Sequence, residues 1–141
     1  LSKYETPLTE HFWQVCCNGA YIPEYRLVRK SNGIAERRAD AVILPNEQHR
    51  RATRVDYPDL TGRDVVVVQT KANRLGMSVM GQALFSAQLI HRHGASSVRS
   101  IILVTAGDAV LEQLLLPFPD IEVWIADPSR TTPPRRQIAT G

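Results

Sequence analysis

Four consecutive valines at 65 to 68 run into Gln69 and Thr70, and this β-branched stretch predicts a buried strand over 65–70. After Gly76, the residues Val79, Met80, Ala83, Leu84, Ala87, Leu89 and Ile90 recur at intervals of three and four. That period predicts a helix over 77–91 with one broad apolar stripe, stopped at Gly94. A strand at 101–105, a short helix at 108–116 broken by Pro117 and Pro119, and a last strand at 121–126 follow. Upstream, Leu8, His11, Phe12, Val15 and Cys16 fall near helical spacing over 7–17, with Thr6 or Thr9 able to cap and Asn18 and Gly19 able to stop it. Stretches 21–30 and 36–44 flank the turn residues Ser31, Asn32 and Gly33 and read as a hairpin. The polar, Arg-rich stretch 46–63, punctuated by Pro58 and Gly62, reads as a loop.

Strand, helix, strand, helix, strand implies parallel crossovers and hence a layered α/β domain over 1–127. From Pro128 onward Ser, Thr, Pro and Arg replace the apolar pattern, so 128–141 is expected to be a disordered or surface-draped tail. With 141 residues, 43% of them hydrophobic, the chain can fill one core, and collagen-like and disulfide-scaffold classes are excluded. No apolar run approaches the roughly 18 residues of a membrane span. Cys16 and Cys17 are adjacent, which suits neither an unstrained disulfide nor a zinc site; a reducing, cytoplasmic compartment is the expectation. The net charge is only +3, but Arg37, Arg38, Arg50, Arg51 and Arg54 fall within eighteen residues. Such a cluster suits a polyanion, and equally a solvated basic face.

Chemistry is concentrated at two strand ends. Asp40 opens the apolar part of its strand, and Gln69, Thr70 and Lys71 close the next one. Side chains alternate across a strand, so Gln69 and Lys71 share one face and Thr70 takes the other. If the two strands pair, Asp40 meets Gln69 and Lys71 at one end of the sheet. Lys71 is also one of only three lysines against fourteen arginines, which makes a lysine at that spot less incidental.

This order of residues resembles the PD-(D/E)xK nuclease superfamily, in which an Asp at a strand start is followed, on the next strand, by an acidic residue, any residue and a Lys. Gln69 stands where the acidic residue is usual, as in the Q-x-K variant of Mrr-type members. Gln82 resembles a helix Gln of RecB-type and VRR-type members, and Glu10 matches in order the first-helix Glu of Holliday-junction resolvase-like members. The resemblance implies a three-layer restriction-endonuclease-like core with a mixed central sheet, αβββαβ followed by an extra αβ. It implies Mg²⁺ or Mn²⁺ held by Asp40, Glu10, Gln69 and the Thr70 carbonyl, with Lys71 acting on the water or the transition-state charge. Catalytic roles would fall to Asp40, Gln69, Lys71, Glu10 and Gln82, and phosphate contacts to Arg37, Arg38, Arg50, Arg51 and Arg54. The expected activity is phosphodiester hydrolysis in DNA in preference to RNA, by a homodimer whose subunits each address one strand.

Each residue also has a plainer reading. Asp40 could pair with Arg37 or Arg38, Gln69 and Lys71 could be a polar strand terminus, and Glu10 could serve the positive end of its helix while Glu24 or Glu36 takes the ligand role. The neutral Gln69 motivates a rival function: a nuclease-fold domain without catalysis that binds nucleic acid or protein. An RNA-cleaving nuclease or toxin of the same fold is a further alternative. His91 and His93 are two apart, a poor helical ligand spacing, and serine hydrolase and phosphate-loop patterns are missing.

Overall fold

In the computed structural model, residues 2–52 and 58–139 are described. Helix α1 (Glu5–Cys16) leads into β1 (Ala20–Pro23), β2 (Arg26–Val28), β3 (Arg37–Arg38) and β4 (Ala41–Leu44). Then come β5 (Arg50–Arg51), β6 (Asp64–Arg74), α2 (Met77–Arg92), β7 (Ser97–Ala106), α3 (Ala109–Leu114), β8 (Ile121–Ile125) and β9 (Arg135–Gln137). Among the described residues seven strands form one mixed sheet in the order β5-β1-β4-β6-β7-β8-β9, while β2 and β3 pair separately. The strands β6, β7 and β8 are parallel and are joined through α2 and α3, the crossovers that the element order predicts. The α/β class and the helix-flanked mixed sheet are therefore present.

Alternation along the valine run sorts the core into two sides. Val66 and Val68 pack with Leu8, Phe12 and Trp13 of α1. Val65 and Val67 belong to the opposite face with Ile90 of α2, and further along the sheet Val79 and Ala83 cover Ile102 and Val104. Burying each such side chain contributes roughly 1.5–3 kcal/mol, which is why a strand apolar on both faces sits at the centre of the sheet.

The expected hairpin forms but is creased. Its inner half is β1 on β4, and its outer half, β2 on β3, leaves the sheet as a ribbon. At the crease Glu24 adopts φ 49°. Its N–H donates to the Asp40 carbonyl at 2.9 Å and the Ala39 N–H donates to the Tyr25 carbonyl at 2.9 Å, so pairing continues around the bend. Asp40 sits at this crease, just before β4 begins.

Two segments depart from the sequence reading. Within the stretch read as loop, Arg50 and Arg51 pair in parallel with Ala20 and Tyr21 and become a sheet edge. The tail, expected to be disordered or draped, carries β9, which pairs antiparallel with β8 from Val123↔Gln137 to Ile125↔Arg135. Ser129, Thr131 and Thr132 are tied down by Asp127, whose carboxylate accepts from the Ser129 hydroxyl at 2.7 Å, the Thr131 hydroxyl at 2.8 Å and the Thr132 hydroxyl at 3.0 Å. These bonds hold the Asp127 carboxyl well below the usual range. Among the described residues no helix is long and apolar enough to cross a membrane.

Candidate active site

Strand β4 starts at Ala41, opposite Val68, but β6 runs on to Arg74. The β4-facing edge of β6 beyond Val68 therefore lacks a strand partner, and its backbone donors need other acceptors. The Thr70 N–H donates to Asp40 Oδ2 at 2.7 Å. Two residues on, the Ala72 N–H donates to Glu5 Oε2 at 3.1 Å. Two carboxylates from separate elements are thus held on one strand edge at backbone positions about 6.6 Å apart. A residue's N–H and C=O leave a strand by the same edge, so the Thr70 carbonyl faces the same gap.

Glu5 reaches this edge because α1 begins earlier than its apolar pattern suggests. Ser2 and Glu5 bond each other at the helix start, the Glu5 N–H donating to Ser2 Oγ at 3.2 Å and the Ser2 hydroxyl to Glu5 Oε1 at 3.1 Å. On the opposite side of the site, α2 fixes Gln69. The Gln69 amide nitrogen donates to Ser86 Oγ at 2.8 Å, and its Oε1 has no hydrogen-bond partner among the described residues. Thr70 turns the other way, its hydroxyl 2.7 Å from that of Thr9 on α1. The expected alternation of Gln69 and Lys71 against Thr70 is what β6 displays.

These groups open into a cleft of about 600 Å³. Its floor carries Glu5, Asp40, Gln69, Thr70 and Lys71. One wall is the ribbon, with Arg37 and Arg38; the other is α2, with Gln82, Phe85 and Ser86. Arg38 pairs with Glu36 Oε1 at 2.9 Å, so Glu36 is engaged away from Asp40. Burial pushes the Asp40 carboxyl above its ordinary range; the Thr70 N–H works against that shift, while the Glu5 and Glu24 carboxylates add to it. An acid crowded by like charges in a half-buried cleft is a place where a cation relieves repulsion.

Several expected site residues lie elsewhere. Glu10 is not in the cleft: it pairs with Arg51 Nη2 at 2.5 Å and lines a separate depression with His11 and Arg130. Five residues along a helix turn the side chain by about 140°, so Glu5 and Glu10 cannot serve the same site. Arg50 and Arg51 stand on the outer edge strand rather than over the cleft, with Arg51 5.3 Å from the centre of the Tyr21 ring. Arg54 lies outside the described residues. His93 is bonded to the Leu27 carbonyl at 2.8 Å, a structural contact. Glu5 and Ser86 were not singled out by residue type, although the Ser2-x-x-Glu5 spacing is a helix-start signal that would have drawn attention to Glu5.

The oxygen set suits a hard divalent cation: carboxylates from Asp40 and Glu5, the Thr70 carbonyl and Gln69 Oε1. Among the described residues no three His, Cys, Asp or Glu side chains gather closely enough to hold a metal, so neutral oxygens would complete the ligation. Comparison with protein-family models, with curated proteins and with solved structures returned no match.

Proposed function

We propose that the cleft is a metal-dependent phosphodiesterase site acting on DNA, built on a restriction-endonuclease-like variant of this α/β fold. The observation that carries the reading is the pair of carboxylates, Asp40 and Glu5, fixed on the Thr70 and Ala72 N–H groups beside Gln69 and Lys71. Mg²⁺ or Mn²⁺, when bound, would polarise a phosphate oxygen and make a bound water nucleophilic at neutral pH. Asp40 and Glu5 would supply the negative charge that retains the ion. Gln69, oriented by Ser86, presents a carbonyl oxygen without adding charge. The Lys71 ammonium offsets the charge that grows on the phosphate oxygens in the transition state, and Gln82 and Arg37 stand where they can orient the phosphate.

Supercoiled plasmid incubated with Mg²⁺ or Mn²⁺ should be nicked, and EDTA should stop it. Absence of hydrolysis of both DNA and RNA with either metal overturns the reading. The carboxylate geometry makes a sharper prediction: Glu5→Gln should lower the nicking rate by about ten- to a hundredfold, whereas Glu10→Gln should leave it unchanged. A reversed order would restore the first-helix assignment that the sequence suggests. The neutral Gln69 favours a second reading, a domain that binds nucleic acid without cutting it. That domain would keep its nucleic-acid affinity when Asp40 is replaced by Ala and would show no metal-dependent nicking.

A further inference from the structure

Helix α2 buries Val79, Ala83, Ser86 and Ile90 against the sheet, but leaves Phe85 64% exposed. A single exposed apolar side chain is ordinary on a protein surface. Phe85 differs in its surroundings: it lines the cleft that holds Asp40 and Lys71, facing a wall that carries Arg37 and Arg38. On a helix, a long side chain leans over the preceding turn, which here carries Gly81 and Gln82. Gly81 offers no side chain to cover the ring, and apart from its chain neighbours and the helix's own backbone no atom lies within 4 Å of where its Cβ would be.

The cleft thus combines an uncovered aromatic on one wall, Arg37 and the Glu36-paired Arg38 on the other, and Lys71 with the proposed metal-holding carboxylates beneath, so its positive charge for a phosphate backbone comes from Arg37 and Lys71. A cationic groove faced by an aromatic platform is the arrangement by which proteins hold unpaired nucleotides, the backbone against the charges and the base against the ring. In a duplex the base faces are already stacked, so the ring has nothing to bind unless a base is flipped out. A volume near 600 Å³ falls within the range of clefts that enclose small molecules, which suits a nucleotide or two.

We infer that Phe85 is a stacking platform for an unpaired nucleobase, so that the cleft takes single-stranded nucleic acid in preference to duplex. This rests on the nucleic-acid reading of the cleft, and deepens it by naming the substrate form. Phe85 is exposed, so its replacement should not disturb the core.

The test is fluorescence anisotropy with a short labelled oligodeoxythymidylate in EDTA, where nothing is cut. The strand is presented alone, annealed to its complement, as its RNA counterpart and as an abasic strand that keeps only the phosphates and sugars. The single strand should bind more tightly than the duplex. Phe85→Ala should lose about tenfold or more in single-strand affinity, Phe85→Trp should retain it, and the abasic strand should bind wild type and Phe85→Ala equally. RNA bound as tightly as DNA, and equally sensitive to Phe85→Ala, supports the platform and makes the cleft indifferent to the sugar. The platform is overturned if Phe85→Ala binds the single strand as wild type does, if the abasic strand binds wild type as well as the base-bearing one, or if duplex binds as tightly. Metal-dependent nicking of a single-stranded circular DNA, and of the plasmid, is scored in parallel. Nicking lost in Asp40→Ala with unchanged binding by Phe85→Ala removes the platform and leaves the phosphodiesterase; base-dependent binding without nicking does the reverse.

Discussion

Asparagine in place of Asp40 is expected to lower metal-dependent phosphodiester hydrolysis by about a hundred- to a thousandfold, the scale seen when preorganised electrostatic groups are removed. The substitution keeps an oxygen for the Thr70 N–H, which now meets Asp40 Oδ2 at 2.7 Å, while removing the charge and putting an amide NH2 in place of the other oxygen. Its effect on stability has the opposite sign. Burial and the neighbouring Glu5 and Glu24 carboxylates raise the Asp40 carboxyl in the folded chain. A group raised on folding contributes stability below its unfolded value, near pH 4, and loses that contribution as pH rises through its folded value. At neutral pH the ionised Asp40 therefore works against the fold, and Asp40→Asn should raise Tm. Below about pH 4, where wild type is protonated, the two melting curves should converge. Mg²⁺ should raise the Tm of wild type and leave Asp40→Asn unmoved, since only a state that binds the ion is stabilised by it. If the variant still nicks DNA, the reaction belongs to another site. If its Tm falls at neutral pH, the carboxylate is a strand-end lock and the crease is structural.

How much of this was legible beforehand depends on how each residue is held. The valine run and the residues after it were readable because alternation along a strand is stereochemical: once Val65 to Val68 are buried, Gln69 and Lys71 must share a face and Thr70 must take the other. The helix over α2 was readable for the equivalent reason at a period of 3.6. Glu5 was not, because the apolar spacing starts only at Leu8 and Thr6 or Thr9 offers a cap after Glu5. In fact Pro7 sits inside the first turn, where backbone N–H groups have no intrahelical partner and a proline removes nothing. The edge strands β5 and β9 escaped because Arg50, Arg51 and Arg135 to Gln137 are all exposed and carry no apolar alternation. Charge on an edge discourages pairing with other chains, so such strands hide by their nature from hydrophobic patterning. The crease at Glu24 has no sequence signal either: a left-handed φ at a glutamate is set by the strands around it, not by its own preference.

The crease and α1 both depend on how β1 starts, and Gly19→Ala should expose that dependence through the largest single loss of stability outside the core. Gly19 has φ +134°, and a Cβ there would fall 2.2 Å from the Leu44 carbonyl oxygen and 2.8 Å from the Pro45 Cα, both backbone atoms. The next residue, Ala20, pairs with Leu44, so relief by separation would open β1 from β4. Relief by rotation is opposed as well, because the Trp13 indole N–H donates to the Gly19 carbonyl at 2.9 Å. Trp13 is buried and stacks on Tyr21 with ring centres 4.9 Å apart, so it cannot follow cheaply. A loss of about 3 kcal/mol or more is expected, which for a chain of this size is a fall of roughly 10 °C in Tm. Gly33→Ala provides the control, since Gly33 also has positive φ, +74°, but nothing within 4 Å of its would-be Cβ. It should show only conformational strain, about 1–2 kcal/mol. The difference between the two variants measures the clash together with the greater backbone strain of an alanine at φ +134° than at +74°, and equal melting temperatures would mean that β1 and β4 can part at this end without consequence. If they cannot, the strain should travel along α1 to Glu5, and nicking by Gly19→Ala well below its Tm should fall further than the folded fraction does.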